Sequence, residues 1–498
     1  MIPNTESLAF SRPAAAADSL GDKAPDRHRF TGKKVLLTGE GPVLGLENGK
    51  SCFLNSIRIL TRMTRGLKIW IPGDTRLREE TSQLIEHISF GDKPELLSTP
   101  PDFTTFDAIL SVGTETHSDL PWTTINSNGW VARISSGSIA LSSVCDQANP
   151  VGALAAASLG ASEIFKRLIK LVPERAEPLD GLAFSFYSYE VSDDPGPPLP
   201  DKIPVEIFVM GVGAIGSGVV HLLNSLPVSG TAFFVDRQKF AEENLGTCIL
   251  IGPKDLDNTP KAVFAAKLLE SKLTTRGFPQ DVVEFVATTV RELPYPKIIL
   301  NGLDEIDPRH SVQSLWPDMI IDGAIGAFAC EATLHPWGED LSCLYCDFEH
   351  PPERSEQLES ELTGLREDRL KDMNSVVTED DVRAAPAEKR KWLKTQMGKE
   401  ICSVVSEATI EKLSQEKQKE GFRPSVPFVA CLSSCMMVTE LVRQTLQWPR
   451  ILETGFRFDV LAGPQYGRRK AHSRKPTCIC VQRKNTIELL RRKHGLKP

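Results

Sequence analysis

The chain has 498 residues, 41% of them hydrophobic and 25% charged, which suits globular domains with sizeable cores and leaves room for about three of ~150 residues each. A net charge of −7 gives no reason to expect nucleic-acid binding, and no apolar run of about 18 residues occurs to cross a membrane. Eleven cysteines, an odd number in so long a chain, fit a reducing compartment with metal-binding or catalytic thiols better than a disulfide framework, so a cytoplasmic location is expected.

Residues 1–28 are polar, mix Ala, Asp and Pro, and hold no continuous apolar stretch, so a flexible tail and not a signal peptide is expected. An α/β domain is predicted over 29–190. It opens with an apolar strand from Lys33 and a glycine-rich turn, Gly39-Glu-Gly-Pro-Val-Leu-Gly45, followed by a helical pattern at 51–64 and a strand at 67–71. A strand at 106–112 and a small-residue helix from Asn149 complete it. Residues 191–203 contain Ser192-Asp-Asp-Pro-Gly-Pro-Pro-Leu-Pro-Asp201, a Pro-rich linker expected to be extended and semi-rigid.

A second α/β unit is predicted in two parts, 204–350 and 425–498. An apolar strand at 205–210 runs into Gly211-Val-Gly213-Ala-Ile-Gly216, an apolar helix, and a second strand ending on Asp236. Glycines let backbone approach a phosphate, the helix N-terminus faces the anion, and the acid suits a ribose hydroxyl. Asn244, eight residues on, and Lys261, at the start of a helix, offer an amide and an ammonium to a polyphosphate. A dinucleotide oxidoreductase would need a hydride-transfer residue, and none stands out. The strand at 297–300 leads into Asn301-Gly-Leu-Asp304, which places a carboxylate at a strand tip where Mg²⁺ could bridge to phosphate. ATP with Mg²⁺ is therefore the expected ligand. A closing helix follows at 425–446.

The same series of strand, glycine turn, strand, strand and closing helix occurs in both units, so an internal duplication is expected. The first copy lacks the chemistry of the second. Glu40 stands where a phosphate would lie, and the second strand ends Trp70-Ile-Pro72 without an acid. Two close cysteine pairs, Cys343-Leu-Tyr-Cys346 and Cys478-Ile-Cys480, give a four-thiolate set for structural Zn²⁺, with His472 as the alternative to Cys480. Cys431 and Cys435, four apart on an apolar helix, read as core, and Cys52, Cys145, Cys248 and Cys330 as structural.

The glycine turn, Asp236 with Asn244, Lys261 after a proline, Asp304 with Arg309 five later, and Cys343 with Cys346 follow the order of the E1-like adenylating enzymes (ThiF, MoeB, ubiquitin-activating), which this chain resembles. The resemblance is strong over 205–346 and weaker over 425–480. It implies two tandem Rossmann-like ThiF-type adenylation domains, the first inactive and the second active, the latter interrupted by a cysteine-bearing helical insertion at 351–424. It assigns ATP·Mg²⁺ binding to Gly211, Gly213, Gly216, Asp236, Asn244, Lys261 and Asp304, with Lys261 and Asp304 also catalytic. The family usually reads Asn-Leu-Asn-Arg, whereas here Gly246 and Thr247 hold the last two positions, so either another Arg supplies that cation or adenylation is slower. Arg27 and Arg29 are the nearest candidates for the basic residue that the family sends across from the partner half. The Cys-x-Cys spacing of the second pair also departs from the family's usual Cys-x-x-Cys.

Cys402 lies in the charged insertion, in Gly398-Lys-Glu-Ile-Cys402-Ser, a segment like the catalytic-cysteine segment of bacterial E1-like proteins encoded with ubiquitin-like modifiers. A long charged segment between defined elements is a plausible mobile carrier for a nucleophilic thiol, and Lys399 could lower its pKa. The expected function is ATP-dependent adenylation of a ubiquitin-like protein, thioester transfer to Cys402, and handover to an E2-like carrier. A sulfur-carrier adenylyltransferase without the thioester step and a nucleotide-binding scaffold are the alternatives. Whether two chains pair as a homodimer is left open.

Overall fold

The computed structural model describes residues 9–73, 75–143, 147–173, 176–256, 258–349, 355–372, 375–401, 404, 405, 408 and 425–497. It divides into two compact units, one of Met1–Phe348 with Pro424–Pro498 and one of Glu349–Arg423.

The larger unit is mixed α/β and contains two eight-stranded sheets. The first is formed by β1 (Lys34–Gly39), β2 (Gly66–Ile69), β3 (Glu95–Leu96), β4 (Ala108–Val112), β5 (Trp122–Asn128), β6 (Val131–Ser135), β7 (Leu182–Ser185) and β8 (Glu190–Val191). The second is formed by β9 (Ile203–Met210), β10 (Val228–Val235), β11 (Thr274–Phe278), β12 (Ile298–Asn301), β13 (Met319–Ile325), β14 (Ala329–Pro336), β15 (Gly455–Asp459) and β16 (Arg468–Lys470). Their spatial orders are β3-β2-β1-β4-β5-β6-β7-β8 and β11-β10-β9-β12-β13-β14-β15-β16, the same permutation applied to successive halves of the chain. Both are parallel through their first five strands and antiparallel through the last three. The innermost strands β1, β4, β9 and β12 are largely apolar, as helices on either side require. β1 and β4, for example, are buried over nearly their whole length.

Equivalent helices join the halves. The Pro150–Ile169 helix, between β6 and β7, packs on the Pro427–Thr445 helix, between β14 and β15. Both open on a proline, which the first turn of a helix accepts because its missing N–H has no partner there anyway. Both are buried almost all round, and small residues make this possible: Ser434 hydrogen-bonds the Ile215 carbonyl at 2.8 Å, and a Cβ on Gly218 would approach its hydroxyl to 2.3 Å. At matching positions counted from Pro150 and Pro427, each helix carries a buried ion pair, Glu163 with Lys166 and Glu440 with Arg443. Each cation also reaches a carbonyl of the other half, Lys166 that of Leu461 at 3.2 Å and Arg443 that of Tyr187. Tyr189 donates to Glu440 at 2.9 Å, and Arg62 binds the carbonyls of Cys248 and Ile251 across the same junction.

One segment differs from its expectation and another is held more firmly than its composition alone requires. Within the expected tail of residues 1–28, the Ser11–Asp18 helix buries Ala16 and Ala17, and Phe10 is 5% exposed. Alanines carry no strong periodic signal, yet their size lets a helix sit close to a core. The Pro-rich linker is tied down by Trp130, whose backbone N–H and indole Nε1 donate to the Pro195 and Pro197 carbonyls, and by Arg133, which pairs with Asp193. The smaller unit has its own core of Leu365, Leu370, Val377, Ala385, Leu393, Ile401 and Val404.

Candidate functional site

β10, β9 and β12 are adjacent and parallel, so their carboxyl ends lie side by side at the point where the strand order reverses. Open α/β sheets bind ligands there. Gly211 follows β9 with φ +87°, a left-handed conformation that favours glycine, and its N–H is held by the Val235 carbonyl at 2.9 Å. A Cβ on Gly216 would sit 2.3 Å from the Gly211 oxygen, so the turn and the Ala214–Ser225 helix close only with glycine at that position. Nothing lies within 4 Å of a Cβ built on Gly213, which caps that helix, so the backbone faces open space at the helix N-terminus.

Asp236 follows β10 and is 8% exposed. Its Oδ2 accepts the Val212 N–H and its Oδ1 the Gln238 N–H, both at 2.7 Å. The acid therefore fixes the glycine turn, while a carboxylate with about four acceptor sites keeps capacity for a hydroxyl donor. Asn244 lies in the short Glu242–Gly246 helix, where its Oδ1 accepts the Ala241 N–H at 2.9 Å. Lys261 opens the Lys261–Leu269 helix and is 3% exposed; its Nζ donates to Gln238 Oε1 at 2.7 Å and lies 6.0 Å from the Phe240 ring centre. Its recorded partners are a neutral amide and a ring. Among the described residues no carboxylate lies in salt-bridge range of this ammonium, so its charge remains available to an anion.

Asp304 is exposed, three residues past the end of β12, and Glu305 caps the Ile306–Gln313 helix. Arg309, on that helix, is 4% exposed and pairs with Asp322 of β13, which is fully buried. The structure thus places the glycine turn, Asp236 and the approach to Asp304 along one sheet edge, and Gln238 ties Lys261 to Asp236. Cys402 lies outside the described residues, as does Cys145.

Sequence reasoning missed three residues here. Gln238 was two positions from a chosen acid. Asp322, a lone acid in an otherwise apolar strand, was a readable signal. Arg12 gave none. It reaches from the first half to Glu243, beside Asn244, at 2.8 Å. Arg27 instead donates to the Gly21 and Ala24 carbonyls, and Arg29 is exposed at the start of a short 3-10 turn, so neither is the cation that crosses to the second half. Gly246 has its own explanation: a Cβ there would come within 2.0 Å of the Ala9 carbonyl oxygen. The N-terminal segment occupies that space, and only glycine admits it.

In the first half Glu40 follows β1 directly, as Gly211 follows β9. Its carboxylate accepts the N–H groups of Thr114 at 2.6 Å and Glu115 at 2.8 Å and the Thr114 hydroxyl at 3.0 Å. A side-chain anion thus occupies the backbone donors beyond β4.

Cys343, Cys346, Cys478 and Cys480 are all buried, and their sulfurs lie within 4.8 Å of one another. Cys343 Sγ is 3.7 Å from the Cys346 and Cys478 sulfurs, and Cys346 Sγ is 3.6 Å from that of Cys480. Four Zn–S bonds of about 2.3 Å in a tetrahedron would set sulfurs ~3.8 Å apart, so this set could hold a metal ion. Hydrogen bonds with Cys343 and Cys480 pull the Cys346 thiol down, whereas the thiols of Cys343, Cys478 and Cys480 are pushed up. His472 is not a member, its Nδ1 facing Asp347 at 3.3 Å. Burial pushes the Cys52 and Cys431 thiols up to about 12, which makes them inert.

Residues 203–333 match the family model of the BilD C-terminal domain. The resemblance to E1-like enzymes drawn from the sequence is borne out over that segment. The uncharacterized protein y4jF of Sinorhizobium fredii is 27% identical over 399 residues, covering 74% of each chain. E. coli MccB, solved with ATP, aligns with a TM-score of 0.35 and 13% identity over 55% of this chain and 65% of that one. MccB solved with AMPCPP and MccA aligns with a TM-score of 0.36 and 12% identity, over the same 55% and 65%. This chain therefore spans less than two thirds of the MccB chain, and a likeness so distant carries no ligand or partner across. Among the described residues no helix is long and apolar enough to cross a membrane.

Proposed function

We propose that this chain is an ATP-dependent activating enzyme for a ubiquitin-like protein, built from an inactive and an active ThiF-type half. The observation that carries the reading is the edge of β10, β9 and β12. There a glycine turn open at Gly213, the tethered Asp236 and the buried Lys261, which has no carboxylate partner among the described residues, converge within the segment that matches the BilD C-terminal domain.

The turn's N–H groups and Lys261 would hold the polyphosphate, Asp236 the ribose, Asn244 a phosphate oxygen, and Asp304 a Mg²⁺ that would supply positive charge against the phosphates. A carboxylate oxygen at the modifier's C-terminus attacks the α-phosphorus. The α–β P–O bond breaks, pyrophosphate leaves, and an acyl-adenylate forms. The Cys402 thiolate then attacks the acyl carbon and expels AMP, giving a thioester for an E2-like carrier. Arg12 is the cation nearest to the role that Thr247 leaves vacant. The four cysteines hold a structural Zn²⁺, and the site of action is the cytoplasm.

The test is ATP–pyrophosphate exchange with the candidate modifier, alongside a non-reducing gel of wild type, Cys402→Ala and Asp304→Ala. Exchange in wild type and Cys402→Ala, with a thiol-sensitive band in wild type alone, is the expected result. Exchange without any band would leave the sulfur-carrier type of adenylation. ATP binding without exchange would leave the scaffold.

A further inference from the structure

Asp322 is buried to the last atom on β13, a position with no direct access to a ligand. Its two carboxylate oxygens are taken by Asn301, the last residue of β12, and by Arg309, the fourth residue of the helix that follows the Asp304 loop. The same guanidinium uses its other terminal nitrogen to hold the Leu303 carbonyl, next in the chain to Asp304. Its flat face lies over the Phe348 ring at 4.2 Å, and His310, one residue on, bonds the Phe348 carbonyl. Phe348 is the last residue of the larger unit before the chain leaves for the insertion at Glu349.

One buried carboxylate thus orients one guanidinium, and that guanidinium grips both the loop bearing Asp304 and the root of the insertion. The arrangement requires Arg specifically. Its planar fork can satisfy a carboxylate and a carbonyl at once while stacking on a ring, whereas an ammonium on a flexible stem cannot do all three.

We propose that Asp322, acting through Arg309, is a positioning residue for the metal-binding loop at Asp304, and that the same clamp fixes the exit of the cysteine-bearing insertion at Phe348. This rests on the adenylation reading for the identity of the metal site, but the clamp is a property of the fold and can be tested without activity.

The experiment compares the full-length wild type with Asp322→Asn, Arg309→Lys and Phe348→Leu by amide hydrogen exchange, and then by the Mg²⁺ dependence of ATP–pyrophosphate exchange. In Asp322→Asn the amides of 303–306 and 348 should exchange about tenfold faster or more, while β9 and β10 keep their protection. The Mg²⁺ concentration for half-maximal rate should rise about tenfold with kcat within about threefold, because positioning and not chemistry is lost. Arg309→Lys keeps the charge against Asp322 but not the fork. It should loosen the same amides, whereas a role in charge balance alone would leave them protected. Phe348→Leu, a mild change at the margin of the larger unit, should speed exchange at 348 even if Asp322→Asn fails to fold. Unchanged protection at 303–306 in Asp322→Asn and Arg309→Lys overturns the clamp, as does unchanged protection at 348 in Phe348→Leu. Loosened amides with an unchanged Mg²⁺ requirement overturn the link to the metal. If wild type shows no pyrophosphate exchange, the adenylation reading fails, and the amide data still decide the clamp.

Discussion

Glu40 shows how one side chain can occupy the backbone donors at a sheet's carboxyl edge. In the second half the residue after the first strand is Gly211, in the left-handed region, and the space before the helix N-terminus is open at Gly213. In the first half the residue after the first strand is a glutamate, and its carboxylate already sits on the Thr114 and Glu115 N–H groups. An anion held by backbone donors excludes a second anion from the same donors, so the first half is self-liganded. Glu40→Ala should cost about 1–2 kcal/mol of stability, since the donors lose their acceptor but lie close enough to water to recover part of the loss. It should not create an ATP site in the first half, because the position directly after β2 that matches Asp236 is Trp70. Thermal melting measures the cost and equilibrium dialysis the stoichiometry. One more nucleotide bound per chain in the variant than in wild type would show that Glu40 alone keeps an anion off the first half.

Two elements make predictions of their own. The cysteine cluster joins the loop after β14 to the C-terminal segment, so a metal there would cross-link residues far apart in sequence. Cys480→Ser should lose the metal, by elemental analysis, and lower Tm by several degrees, while His472→Ala should keep both. The reverse pattern would make His472 the ligand. The second element is the Ala214–Ser225 helix, where His221 Nε2 meets Asn55 Oδ1 at 2.7 Å across the junction of the halves. Burial, with Arg58 nearby as a like charge, lowers the His221 pKa to about 3. The folded protein therefore keeps this ring neutral. Its contribution is fully present above the unfolded value near 6.5 and is lost as pH falls from about 6.5 toward 3, because the unfolded chain then binds a proton that the folded one refuses. His221→Gln should flatten the slope of stability against pH in that window, measured by urea unfolding; an unchanged slope would place the acid sensitivity elsewhere. Such pairs were not legible in the sequence. The glycine turn and the strand–helix order were, since they obey local periodicity and fixed spacing. Arg12 with Glu243, His221 with Asn55 and Arg309 with Asp322 join separate elements, and even where one partner stands out locally, as Asp322 does in an apolar strand, nothing local names the other.

At the scale of the molecule, the two halves bury against each other the helices that would otherwise be their most exposed apolar surfaces. The Pro427–Thr445 helix alone buries Phe428, Val429, Leu432, Met436, Val438 and Leu441, and fully burying side chains of this kind contributes about 1.5–3 kcal/mol each. Around it, rings meet across the junction: Phe165 lies 5.7 Å from Phe428, Phe184 5.9 Å from Phe456, and Trp130 6.1 Å from Trp448. The ion pairs at Lys166 and Arg443 then direct cations to carbonyls of the opposite half, where each fixes register. An interface this apolar resembles a domain core more than a contact between domains. The linker between the halves should therefore be dispensable for association. A protease site engineered at 198–200, beyond the carbonyls that Trp130 holds, should cut the chain without separating it. The two fragments should co-elute at the mass of the intact protein and unfold in one transition. Arg443→Ala in the nicked protein should release them, because it leaves Glu440 buried with Tyr189 as its remaining partner, a loss of about 3–5 kcal/mol for a broken buried pair. Separation of the nicked wild type on gel filtration would mean that the halves are held together by the chain and not by the matched helices.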